Sequence, residues 1–176
     1  MSLASSDLPN EEDFDDEGED LPPPANRRDV RVRVMQALYA ADIGERIGES
    51  NIDLLAARII GESSGSRPDL IDFGRLLLMR TWNNRLDCDA LIKVLAENWD
   101  FERITPIDKA ILRMGIAEML YFPEIPTRVT INEAIDIAKD FSTDKSGVFI
   151  NGMLDAAVSQ LRKDDKLQKS GRGLME

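Results

Sequence analysis

The residues best equipped for chemistry cluster at Asn26-Arg27-Arg28-Asp29-Val30-Arg31-Val32-Arg33-Val34-Met35-Gln36-Ala37-Leu38-Tyr39. At about 100° per residue, Val30, Val34, Ala37, Leu38 and Ala41 share one apolar stripe of a helix. Arg28, Arg31, Met35 and Tyr39 share a neighbouring stripe, with Arg27 close to it. Guanidinium forks bind phosphate, and phenol rings stack on unpaired bases. That pairing points to single-stranded nucleic acid. Two plainer readings stand beside it. The arginines could merely solvate an exposed face, and Val30 to Val34 alternates as a strand would. Helix formers from Met35 onward favour the helix.

A second basic surface gathers Lys139, Lys145, Ser146, Phe149 and Asn151. A Lys-Ser-Gly turn opening a helix offers amides and a positive dipole end to an anion. It reads equally as a simple capping turn. Exposed aromatics at Trp99, Phe101 and Tyr121 are candidates for a protein partner.

Much other chemistry is excluded. The chain has no histidine, which removes Ser-His-Asp and Cys-His arrangements and the usual zinc sets. The acids Asp72, Asp87 and Asp89 are scattered, and no Gly-rich phosphate loop follows a strand. The expectation is a non-enzyme with no cofactor and no metal. The lone Cys88 permits no internal disulfide and fits a reducing cytoplasm. It has no redox partner and reads as inert. No apolar run approaches the ~18 residues of a membrane span, and the N-terminus lacks a basic start followed by an apolar segment.

The positioning elements follow in order. Residues 1–26 hold nine acids, no Lys or Arg, and end in Leu21-Pro22-Pro23-Pro24 before Ala25-Asn26, which reads as a disordered acidic tail. Removing those nine charges from the net charge of −11 leaves −2 for residues 27–176, so local patches decide the partners. The tail could compete with RNA for the arginines or simply aid solubility. Helices are expected from about 27 to 43, from the Asn51 cap through Ile59, and at about 69–82, 86–97, 106–121, 130–141 and 147–162. In the fourth, Leu86, Ala90, Leu91, Val94 and Leu95 are taken as the apolar set. In the fifth, Thr105-Pro106-Ile107-Asp108 is N-cap chemistry, and apolar residues wrap widely enough for a central buried helix. Thr130-Ile131-Asn132-Glu133 reads as a capping box. Gly147 and Gly152 read as packing or close-approach positions. Strand-and-turn rhythm is absent, so the class is all-α. Breaks suggest two helical groups, roughly 27–82 and 84–162, and a flexible tail over 163–176.

Three blocks carry a family likeness. Arg27-Arg28-x-x-Arg31-x-x-x-x-Gln36-Ala37-Leu38-Tyr39 resembles the opening of the NusB family, as does Pro106-Ile107-Asp108-Lys109-Ala110-Ile111-Leu112-Arg113. The most specific likeness is Ile131-Asn132-Glu133-Ala134-Ile135-Asp136-Ile137-Ala138-Lys139 followed by Phe149-Ile150-Asn151-Gly152-Met153-Leu154-Asp155. The resemblance implies about seven helices in two small antiparallel bundles. It implies a transcription antitermination factor that binds boxA-type ribosomal RNA jointly with the small-subunit ribosomal protein acting as NusE, within the RNA polymerase antitermination complex. By motif position it places Arg27, Arg28, Arg31 and Tyr39 on RNA, with Lys145, Ser146 and Phe149 beside that surface. Asp29 stands where many relatives are basic. An accessory domain of an RNA cytosine methyltransferase and a helical adaptor that binds only proteins are the alternatives.

Overall fold

The computed structural model describes residues 21–46, 51–61, 65–96 and 100–174. Trp99 and most of the acidic tail lie outside the described residues. Among the described residues the chain folds as seven α-helices and two short 3-10 turns, with no strand. The helices are α1 (Arg27–Arg46), α2 (Ile52–Ile59), α3 (Pro68–Asn83), α4 (Arg85–Leu95), α5 (Pro106–Tyr121), α6 (Thr127–Phe141) and α7 (Ser146–Lys163). The arginine-valine alternation therefore sits on a helix.

The fold is built around α5, which packs against α1, α3, α4, α6 and α7. The Thr105 hydroxyl accepts from the Asp108 amide and Pro106 opens the first turn. Every residue from Asp108 to Met119 is buried, as the wide apolar wrap requires. Four of these, Asp108, Lys109, Arg113 and Glu118, carry charge, and a charge inside a core must be paired. Arg113 does this by forking onto Asp89 at 2.7 Å and reaching Asp42 at 3.1 Å, which ties α1 and α4 to α5. Lys109 lies 4.3 Å from the Phe101 ring centroid and 3.9 Å from Glu102.

Several expectations need correction. In α4 the deeply buried residues are Cys88 and Ile92, whereas Leu86 and Val94 are 72% and 64% exposed. The helix is rotated because Cys88 sits against α5, its thiol 3.8 Å from the Arg113 carbonyl. Burial pushes that thiol's pKa up to about 12, which keeps it inert. The proposed capping box does not cap. Helix α6 already begins at Thr127 behind Pro126, and Thr130 lies inside it. Gly152 has nothing near the position its Cβ would take, so no close approach requires it.

The C-terminal segment is not free either. Lys169 Nζ donates to the carbonyls of Met119, Phe122 and Ile125 at 3.1, 3.3 and 2.8 Å. The Ser170 amide bonds the Pro123 carbonyl at 3.0 Å. A cation at the open carbonyl end of α5 is favourable, so this segment straps the α5–α6 turn.

Candidate RNA interface

The first turns of α1 set Arg27 and Arg28 at one end of the molecule. Asn26 accepts from the Asp29 amide and Asp29 accepts from the Ala25 amide, both at 3.0 Å, which fixes the helix start. Asp29 thus acts as a local cap. Arg27 is exposed, with its guanidinium 4.7 Å from the Phe73 ring centroid. Arg28 reaches across to α6, where Nη1 donates to Asp136 at 3.1 Å and Nη2 donates to Asp140 at 3.0 Å. The Asp136 hydrogen bond heads the causes that raise the Arg28 pKa, and the same contact lowers that of Asp136.

Arg31 does not join this surface. It is buried, with Nε donating to Glu118 at 2.7 Å and Nη2 donating to the other oxygen at 3.1 Å. The Thr130 hydroxyl donates to the same carboxylate at 2.6 Å, and Glu133 lies 3.8 Å from Arg31. Arg31 therefore locks α1 onto α5 and α6 rather than meeting solvent. Met35, on the same stripe, is buried too, while Tyr39 is 36% exposed further along α1. The stripe exists, but its middle is covered by α5 and α6.

The Lys-Ser-Gly turn shows the same division. Lys145 is exposed and caps nothing with its side chain. Ser146 is buried, its hydroxyl donating to Asp108 at 3.0 Å and lying 2.8 Å from the Thr143 hydroxyl and 3.0 Å from that of Ser142. A carboxylate from α5 already faces the start of α7, so this turn is no open anion cradle. Phe149 is half-buried against the core. Lys139 is exposed, pairs with Asp136 at 3.5 Å, and runs past Gly147 of α7.

The surface that remains joins α1, the end of α6 and the start of α7. It presents Arg27, Arg28, Lys139 and Lys145, with Phe141 exposed among them and Tyr39 on α1. Lys139 belonged to the second basic surface read from sequence. Asp136, Asp140 and Glu118 were not foreseen as partners of the arginines. Glu118 had one signal, an acid in the apolar second half of α5, which demands a buried cation somewhere. The Asp136/Asp140 spacing of one turn had none, since a solvated helix face looks the same.

Of the partner candidates, Phe101 has ammonium groups over its ring from Lys93 at 4.7 Å and Lys109 at 4.3 Å. Tyr121 lies under Arg80 at 5.1 Å and lines a groove of about 880 Å3 with Ala90, Leu91, Val94, Leu120 and Leu161.

Comparison with known proteins agrees with this architecture. The NusB family model matches residues 28–159. The transcription antitermination protein NusB of Salinibacter ruber is 38% identical over 151 residues, covering 86% of this chain and 92% of its own. That of Chloroherpeton thalassium is 40% identical over 151 residues, covering 86% and 70%. Among solved structures, T. maritima NusB superposes with a TM-score of 0.69 at 29% identity, covering 77% of this chain and 92% of that one. A chain in the crystal structure of antitermination factors NusB and NusE in complex with double-stranded RNA shares the fold, with a TM-score of 0.67 at 20% identity, covering 76% and 96%. By the extent of these matches, together with the arginine-led α1 and the buried α5, the chain belongs to the NusB family.

Proposed function

We propose that this chain is a non-catalytic transcription antitermination factor of the cytoplasm. It binds boxA-type single-stranded RNA together with a small-subunit ribosomal protein acting as NusE, within the antitermination complex of RNA polymerase. The observation that carries the reading is a basic set, the exposed Arg27, Lys139 and Lys145 with the half-buried Arg28, drawn from α1, α6 and the start of α7 of a NusB-family fold. Phe141 supplies a ring for stacking at the end of α6, and Tyr39 supplies another about three turns further along α1. The relatives from Salinibacter ruber and Myxococcus xanthus are matched over 92% and 97% of their own length. This chain thus spans nearly the whole of proteins named as antitermination factors, which favours that reading over a methyltransferase accessory domain. The groove beside Tyr121 is the better placed surface for the protein partner, because it is apolar and partly open, whereas the Phe101 ring is already engaged by two lysines.

The test is RNA titration of Arg27→Gln with Arg28→Gln, with and without the ribosomal protein, at several salt concentrations. Loss of two phosphate contacts on a single strand lowers the log–log salt slope by about 1.4. Affinity at low salt falls at least about tenfold, because two charge-assisted contacts are removed. Unchanged affinity and slope would reject this face.

A further inference from the structure

In the free protein Arg28 is not idle. Its two terminal nitrogens are each engaged by a different carboxylate, Asp136 at 3.1 Å and Asp140 at 3.0 Å, one helical turn apart on α6. Asp136 also draws Lys139, at 3.5 Å. The carboxylates are 47% and 58% exposed and the arginine 36%, so the clamp lies at the surface. Two negative groups therefore stand within hydrogen-bond distance of the guanidinium that a phosphate must reach.

We infer that Asp136 and Asp140 set the RNA affinity by holding Arg28, so that a backbone phosphate binds there by displacing at least one carboxylate. The inference rests on the RNA-binding reading above and adds residues with the opposite effect on binding. A planar guanidinium has five donors in a fixed fork, and each N–H that points at a carboxylate is withdrawn from phosphate. The exchange is feasible because exposed ion pairs are weak and solvent-screened. It is also selective. A polyanion that offers charge alone gains little from trading one anion for another at Arg28, whereas an RNA that also stacks bases recovers the cost. The clamp thus raises the threshold for nonspecific RNA on a protein whose α1 is rich in arginine.

The experiment is a double-mutant cycle with boxA-type single-stranded RNA, using full-length protein. Asp136→Asn with Asp140→Asn is expected to tighten binding about tenfold at 50 mM salt, with most of the gain lost at 500 mM. Asp140→Asn alone should give a smaller gain, and it serves as the second variant should the double substitution disturb α6. In an Arg28→Gln background the same pair of substitutions should gain less than about threefold, because only general charge remains to be relieved. Equal gains in both backgrounds would overturn the inference, since the acids would then act on the whole surface and not through Arg28. Unchanged binding overturns it as well. Weaker binding would mean that the acids position Arg28 for RNA, which also overturns it. In each of these cases wild-type binding and its loss in Arg27→Gln with Arg28→Gln still stand, so the RNA-binding reading survives. If the wild-type chain does not bind RNA, both fall.

Discussion

Arg31 and Glu118 face each other with side chains only 5% and 1% exposed, so neither charge can be removed alone without stranding the other. Arg31→Ala is expected to destabilise the fold by about 3–5 kcal/mol, because the Glu118 carboxylate would lose its charged partner inside the core. Replacing both, as Arg31→Met with Glu118→Met, should cost much less. Urea denaturation measures both, and a loss below about 1 kcal/mol for Arg31→Ala would show that the pair is dispensable. RNA binding by the folded fraction should change far less than it does for Arg28. At this scale the sequence disclosed which residues share a face of α1, but not which of them a later helix covers. Arg28 and Arg31 lie on one stripe of a helical wheel. Only the docking of α5 and α6 separates them, placing one against exposed acids and the other against a buried acid and the Thr130 hydroxyl. Ser146 follows the same logic, since its burial depends on Asp108, which is 38 residues away.

Among the elements, α5 was the most legible, because its apolar residues cover every side and its cap is local chemistry. Helix α4 was the least legible. Its apolar residues fall on two faces, so periodicity alone did not say which one docks, and Leu86 with Val94 ended outside. The capping-box motif at Thr130 misled because Pro126 starts the helix a turn earlier and tertiary partners claim both side chains. Two glycines test how tightly the helices meet. A Cβ on Gly74 of α3 would come within 2.6 Å of Ile60 and 2.8 Å of Val30, which sits on α1. Overpacking of that kind costs about 1–3 kcal/mol, against roughly 1 kcal/mol gained from helix propensity. Gly74→Ala should therefore lower stability or leave it near neutral, never raise it. Gly152 of α7 meets nothing within 4 Å, so Gly152→Ala should add about 0.5–1 kcal/mol. Denaturation midpoints with opposite or equal signs decide the matter. A stabilised Gly74→Ala would mean that α1 and α3 have slack between them.

At the scale of the whole molecule, the C-terminal strap was illegible because it carries little apolar pattern. It is held by the Lys169 ammonium on three carbonyls at the end of α5, a contact that hydropathy cannot announce. Charge distribution was legible at once. No described helix is long and apolar enough to cross a membrane. The nine acids of residues 1–20 account for most of the net charge of −11. They are tethered through residues 21–26, whose path is fixed where Arg33 donates to the Pro22 carbonyl and Pro24 is buried. Nine acids joined to the start of α1 through so short a tether repel an incoming polyanion at long range. Deleting residues 1–20 should therefore tighten RNA binding severalfold at about 20 mM salt, where screening reaches only beyond roughly 20 Å. The gain should vanish near 1 M salt, where the screening length is about 3 Å. It should also add to the gain from Asp136→Asn with Asp140→Asn, because the tail acts on approach and the clamp acts at contact. The same affinity with and without these residues at low salt would reduce the tail to a solubilising extension and leave the α6 carboxylates as the brake on Arg28.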